Sequence, residues 1–309
     1  MAGYDFDMIV IGGGAAGLTS SGIAANFGAK TMMIEADRLG GDCTWTGCIP
    51  SKTLLKAAKV ARQIKEAGKY GLIDGEPNID FKKVMQHVDE VRKEVYHDAD
   101  RPEIFEDQKI EVVFGKASFK DSHTIDIQLT DGGSRTVSSK YFIIATGAKA
   151  FVPPIDGIQD VDYLTNESLF EIEELPKELL IIGGGPIGTE MSQAFVNLGS
   201  EVTVIDMADR IMTNDDPDLV EILQGELEKQ GVKYELGASV QRVEQEGDRF
   251  KVYVEVHGEQ KVLEGDALLM ATGRKSNTAS LNLDAAGVES EMGNITVNES
   301  CRTNQKHIY

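Results

Sequence analysis

Cysteine is scarce: the 309 residues contain three, the close neighbours Cys43 and Cys48 and the solitary Cys301. In a reducing compartment such a pair is more often catalytic or metal-binding than a structural staple. Positive charge is also short, with 31 Lys and Arg against 51 Asp and Glu and a formal net charge of -20. That balance repels phosphate backbones and anionic bilayers, so nucleic acid and membrane surfaces are not expected partners. No apolar run approaches the ~20 residues needed to span a bilayer. Met1 to Asp7 lacks the basic region and apolar stretch of a signal peptide, and a cytoplasmic location is expected. No tract is dominated by Pro, Gln or Ser, which argues against disorder. What is present is ordinary globular material, 41% hydrophobic and 27% charged, in a length suited to two domains.

An internal repeat organises it. The apolar run Met8 to Ile11 leads into Gly12, Gly14 and Gly17, and Leu179 to Ile182 leads into Gly183, Gly185 and Gly188, each glycine 171 positions after its counterpart. The same offset relates Gly28 to Gly199, and Glu35 after Thr31 to Ile34 to Asp206 after Val202 to Ile205. Each copy holds what a dinucleotide needs: glycines for a tight turn and close backbone approach, a helix N-terminus for the pyrophosphate, and an acid for ribose hydroxyls. One such motif is weak evidence; two at a fixed offset predict two nucleotide sites. Each copy closes on an apolar strand running into Ala-Thr-Gly, ending at Gly147 and at Gly273.

From first glycine to closing glycine the first copy takes 135 residues and the second 90, so the first holds about 45 extra. The extra stretch contains the cysteine pair and two helical patterns, Leu54, Leu55, Ala58, Ala61, Ile64 and then Phe81, Val84, Met85, Val88, Val91, Val95. Ile110 to Leu129 and Ser239 to Leu263 alternate like antiparallel meanders covering a sheet face. The fold class expected is α/β, two Rossmann-like units with parallel sheets and meanders. Prolines and polar residues place boundaries near 152 and 276. This gives a first nucleotide domain over 1–152, a second over 153–276, and a segment 277–309 returning to the first.

The run Gly40-Gly41-Asp42-Cys43-Thr44-Trp45-Thr46-Gly47-Cys48-Ile49-Pro50-Ser51-Lys52 is the most specific stretch. Positions five apart on a straight helix face different sides, so the cysteines can close a disulfide only across a distorted turn, which Gly47 permits. Pro50 suits a first helical turn, placing Cys48 at a helix N-terminus where the dipole favours a thiolate. A cation at Lys52 opposes that dipole and calls for a negative partner. Glu190, at the start of the second glycine-loop helix, is the candidate for a buried pair; two unrelated surface charges are the alternative. Zinc lacks ligands here, since no second cysteine pair follows and the five histidines show no ligand spacing. A structural disulfide stays open, as does soft-metal capture by two thiolates as a substrate event.

These motifs resemble the class I pyridine nucleotide-disulfide oxidoreductases, which include dihydrolipoamide dehydrogenase, glutathione reductase and mercuric reductase. The resemblance runs along nearly the whole chain. It implies FAD on Gly12, Gly14, Gly17 and Glu35, and a nicotinamide dinucleotide on Gly183, Gly185, Gly188 and Asp206. It implies Cys48 as the thiolate against the flavin, Cys43 as the interchange thiol, and Lys52 with Glu190 beside the flavin's reactive nitrogen. Further cofactor contacts are implied at Gly41, Asp42, Ala117, Thr146, Gly147, Val240, Gly273 and Arg274. An acid at Asp206 favours NADH over NADPH, with Arg210 nearby as a counterweight.

The implied cycle carries hydride from NAD(P)H through FAD to the Cys43 and Cys48 disulfide and on to a disulfide or soft-metal substrate, mercuric ion included. Family members continue past the equivalent of His307-Ile308-Tyr309 into a Gly-Asp flavin contact and a dimerisation domain carrying a His-Glu dyad. The expectation is therefore a truncated member, homodimeric only in its full-length form. The alternative function is a remnant that binds FAD and NADH and reduces only dyes; oxidase activity is a third reading, weakened because it needs no thiol pair.

Overall fold

Leu179, Leu180, Ile181 and Ile182 are all buried, yet they serve two different cores, because successive strand residues point to opposite faces. That arrangement, apolar packing on both faces, is the mark of parallel strands and recurs in both halves of the protein. The computed structural model describes residues 3–72 and 75–309. They form two compact units, one of Met1–Trp45, Arg92–Lys149 and Lys275–Tyr309, the other of Thr46–Val91 and Ala150–Arg274.

In the first unit β1 (Phe6–Ile11) pairs in parallel with β2 (Thr31–Glu35) on one side and β5 (Ser134–Ile144) on the other, and β2 pairs in parallel with β3 (Glu111–Asp121). Both β3 and β5 outrun this sheet and continue into an antiparallel meander with β4 (Thr124–Leu129), so the ladder closes on itself. Met32 and Ile34 face a core shared with Phe119, Ile125 and Ile127 of the meander, whereas Met33 faces the opposite way, with Leu18 of α1 (Ala15–Asn26), Leu39 and Phe105 of the short α5 (Pro102–Glu106). The α2 turn is Gly41–Trp45, and a three-residue strand β6 (Ala148–Ala150) ends the first stretch of sheet. The returning segment packs Leu281, then Leu283 and Ala286 of α8 (Leu283–Ala286), and Ile308 into the meander core. Residues His307 to Tyr309 add to the edge of β5 through backbone bonds with Phe142 and Ile144.

In the second unit the parallel order is β13-β7-β8-β9, with β7 (Glu178–Ile182), β8 (Glu201–Asp206), β9 (Lys233–Leu236) and β13 (Ala267–Met270). Leu180 and Ile182 face the antiparallel meander β10 (Ala238–Glu246), β11 (Arg249–Val256) and β12 (Glu259–Gly265). Leu179 and Ile181 face α6 (Pro186–Leu198), along with Leu227 of α7 (Pro217–Gln230). Into that same core α3 (Cys48–Glu66) sends Leu54, Ala58 and Ala61, and α4 (Phe81–Val95) sends Phe81, Met85 and Val88. The stretch 46–91 thus packs with the second glycine-loop helix, whereas the sequence alone had grouped it within residues 1–152. No described helix is long and apolar enough to cross a membrane.

Phe195 on α6 is fully buried, with its ring 6.1 Å from that of Phe81. Truncating it leaves a cavity between inserted helix and nucleotide unit, so Phe195→Ala is expected to cost about 3–5 kcal/mol. Equilibrium urea unfolding measures this, and a loss below about 1 kcal/mol would show that the inserted helices are not anchored there.

Candidate functional site

The two glycine turns share their main features. Gly12 and Gly183 adopt φ of 112° and 114°, open only to glycine, and a side chain there would meet the carbonyl of Ala145 or Ala271 at 2.2 and 2.3 Å. A Cβ on Gly17 would lie 1.8 Å from the Gly12 oxygen, and one on Gly188 1.9 Å from that of Gly183, so each helix presses directly on its turn. The acids at the strand ends are also matched: Gly13 N donates to Glu35 Oε2 at 2.6 Å, and Gly184 N donates to Asp206 Oδ2 at 2.6 Å. Each carboxylate takes a second bond to its other oxygen, from Asp37 N and from Ala208 N, both at 2.8 Å. Both acids are thereby fixed in direction beside the helix start.

The α7 helix begins at Asp216, whose carboxylate accepts from Asp218 N and Leu219 N. The α1 and α6 helices start at Gly14 and Gly185 with no side-chain cap and no acid in the first turn. Their first amide hydrogens stay open to an outside acceptor, and at Gly185 a side chain would enter empty space. An anionic pyrophosphate suits both ends, since amide donors and the dipole act together. The residues present fit a dinucleotide in each unit.

Gly147 and Gly273, closing the two Ala-Thr-Gly runs, both take positive φ, 65° and 124°, with open space where a side chain would stand. Thr146 accepts at its carbonyl from the Asn277 side chain, and Thr272 donates to Phe151 O at 2.6 Å. Ala117 is buried in β3 opposite Ile127, and Val240 lies in β10 at an irregularity between Val240 and Arg242. Arg274 follows Gly273 directly.

In the first unit Gly40 N donates to Gly13 O at 2.9 Å, and Gly41 passes so close to Gly14 that a Cβ would come within 2.7 Å of its Cα. The glycine turn and the cysteine turn are thus packed backbone on backbone. Cys43 is half-buried in α2 beside Asp42. In the second unit Cys48 is exposed and is the first residue of α3, with Pro50 in its opening turn; both cysteines stand as thiols. Lys52 Nζ is 3.8 Å from Glu190 Oε1, but the side chains are 68% and 44% exposed, so the burial expected for this pair is not seen. The two groups bridge α3 and α6 with both side chains exposed, where water screens them and the pair by itself contributes little. Glu190 stands in the second turn of α6, past the open amides.

Sequence reasoning missed a set of contacts around Cys43. The neighbouring Thr44 donates to Asp100 Oδ2 at 2.5 Å, both residues being buried, and buried Arg92 donates to Trp45 O at 3.0 Å. The Trp45 indole donates to Leu39 O at 2.8 Å, lies 4.1 Å under the Arg38 guanidinium and meets the Tyr96 ring at 5.2 Å. Spacing was the available signal, because 92, 96 and 100 recur every four residues.

Two nucleotide-shaped βαβ units, with Cys43 in α2 and Cys48 at the start of α3, are the features of a dinucleotide-binding protein of redox type. The model of the pyridine nucleotide-disulphide oxidoreductases matches residues 6–309, and the chain belongs to that family. It is 39% identical to a mercuric reductase of Bacillus cereus over 311 residues, which cover 99% of this chain and 48% of that protein. Identity to a dihydrolipoyl dehydrogenase of Acholeplasma laidlawii is 32%, over 99% of this chain and 88% of that one. Among solved structures, the Cu(II) complex of the HOCl-induced flavoprotein disulfide reductase RclA from Escherichia coli matches with a TM-score of 0.83 at 30% identity, covering 100% of this chain and 65% of that chain. The chain spans about half the length of the mercuric reductases it matches.

Proposed function

We propose that this chain binds FAD at Gly12, Gly14, Gly17 and Glu35 and a nicotinamide dinucleotide at Gly183, Gly185, Gly188 and Asp206, and reduces a Cys43 and Cys48 disulfide for exchange with an external disulfide or soft metal ion. The observation that carries the reading is the duplicated glycine turn, uncapped in both copies and holding its acid at 2.6 Å in both. FAD, when bound, supplies a two-electron relay between nicotinamide hydride and sulfur. The amides of α1 and α6 hold the pyrophosphates, and Glu35 and Asp206 orient the riboses. Cys48 is the first residue of α3, where the dipole of a helix favours negative charge on sulfur. Lys52, tethered to Glu190, keeps a positive charge one turn from that sulfur. Half-buried Cys43 is the thiol that exchanges with the substrate.

The net reaction is NADH plus a proton plus the protein disulfide giving NAD+ plus two thiols. FAD-loaded, oxidised protein given one equivalent of NADH should therefore gain two titratable thiols, assigned to Cys43 and Cys48 by peptide mapping. Flavin reduction without new thiols would leave a cofactor-binding unit that reduces dyes alone, and the reading would fail.

Cofactor preference follows from the second acid. Asp206 would repel a 2′-phosphate, while the Arg210 guanidinium already donates to the carbonyls of Met212, Thr213 and Asp215. NADH is the preferred donor on this account. Asp206→Ala should narrow the NADH over NADPH preference in stopped-flow flavin reduction by about tenfold, one charged interaction; an unchanged ratio would mean that the acid does not reach the ribose.

A further inference from the structure

The cysteine turn is gripped by one face of a neighbouring helix end. Arg92, Tyr96 and Asp100 meet Trp45 O, the Trp45 ring and the Thr44 hydroxyl, the two residues that follow Cys43. Eight residues of regular α-helix overrotate by about 80°. Here Tyr96–Asp100 form a wider π turn, which takes that rotation back and returns Asp100 to the face of Arg92. Such turns recur at functional sites. Asp100 is 8% and Arg92 3% exposed, and Gly40 takes φ of 97° where a side chain would strike Asp100 and Thr44 at 2.8 Å. Burying a carboxylate against a single hydroxyl is a poor source of stability, since desolvation offsets the bond. What the arrangement does deliver is one fixed shape for the turn.

We propose that Arg92, Tyr96 and Asp100 are positioning residues that clamp the Cys43 turn and control when its thiol opens to a partner. This rests on the reading of Cys43 as the exchanging thiol. A half-buried thiol reacts through local opening, so its rate follows the open population. Each clamp bond holds that population down. Exposed Cys48, in the other unit, is outside the clamp, as is exposed Cys301.

The test is site-resolved alkylation of the reduced 309-residue chain by iodoacetamide, read by tandem mass spectrometry, with Trp45, the single tryptophan, as a fluorescent reporter of the turn. Asp100→Ala and Thr44→Val should each speed Cys43 alkylation about tenfold, the equivalent of one charged hydrogen bond. Cys48 and Cys301 should keep their rates, and the Trp45 emission should shift to the red in both variants. Asp100→Asn retains an acceptor for Thr44 and should restore Cys43 to within about twofold. Should Asp100→Ala fail to fold, Thr44→Val, nearly isosteric, carries the measurement. An unchanged Cys43 rate overturns the proposal, as does equal acceleration of all three cysteines, which would mean that Asp100 only stabilises the fold. Because no cofactor is present in this assay, its failure is distinct from a failure of the NADH-driven thiol gain.

Discussion

Gly17→Ala is expected to abolish flavin retention while the second nucleotide site stays intact. The new methyl would sit 1.8 Å from the Gly12 carbonyl, and that carbonyl belongs to backbone held by the Gly12 N to Ile34 O bond of 2.7 Å. Neither partner is the end of a flexible side chain, so α1 must move away from the turn whose amides we propose as the pyrophosphate site. Forced overpacking of this kind costs about 3 kcal/mol. If the strain is relieved by shifting the helix start, FAD affinity falls by about a hundredfold. The measurement is the flavin-to-protein absorbance ratio after gel filtration, paired with a titration of NADH. Gly188→Ala, 1.9 Å from Gly183 O, should show the reverse pattern, with flavin kept and NADH weakened. A Gly17→Ala protein that keeps stoichiometric FAD would show that the first turn is not the flavin's phosphate site.

Cys48→Ser should remove disulfide reduction almost entirely and leave dye reduction by NADH close to that of the parent. A serine hydroxyl at the α3 start cannot form the disulfide with Cys43 and is not ionised near neutral pH, so the dipole has no anion to hold. Loss of a covalent participant commonly lowers turnover on the order of a thousandfold or more. On the proposed reading hydride delivery depends on the two glycine turns, which the substitution leaves untouched. The reduced, FAD-loaded parent should also show a long-wavelength thiolate-to-flavin absorption band, absent in the variant. Persistence of that band in Cys48→Ser would assign the thiolate to Cys43 and reverse the two roles.

The sequence by itself determined the parts whose physics is local. Gly12 and Gly183, Glu35 and Asp206, and the offset of 171 between them were readable because a tight turn followed by a helix demands glycine at fixed places. The α3 and α4 helices were readable from apolar spacing, and the position of Cys48 from Pro50. Tertiary structure decided the rest. Leu54 and Phe81 show that their helices bury one face, but not that the face meets Met191 and Phe195 more than a hundred residues later. Alternation over Ile110 to Leu129 marked the meander without revealing that β3 and β5 also pair within the parallel sheet, since period two is common to both. The exposure of Lys52 and Glu190, and the hold of Asp100 on Thr44, depend on which surfaces the packing leaves open to water. Spacing along a chain fixes which residues share a face; only the assembled core fixes what that face meets, because burial is set by partners distant in sequence.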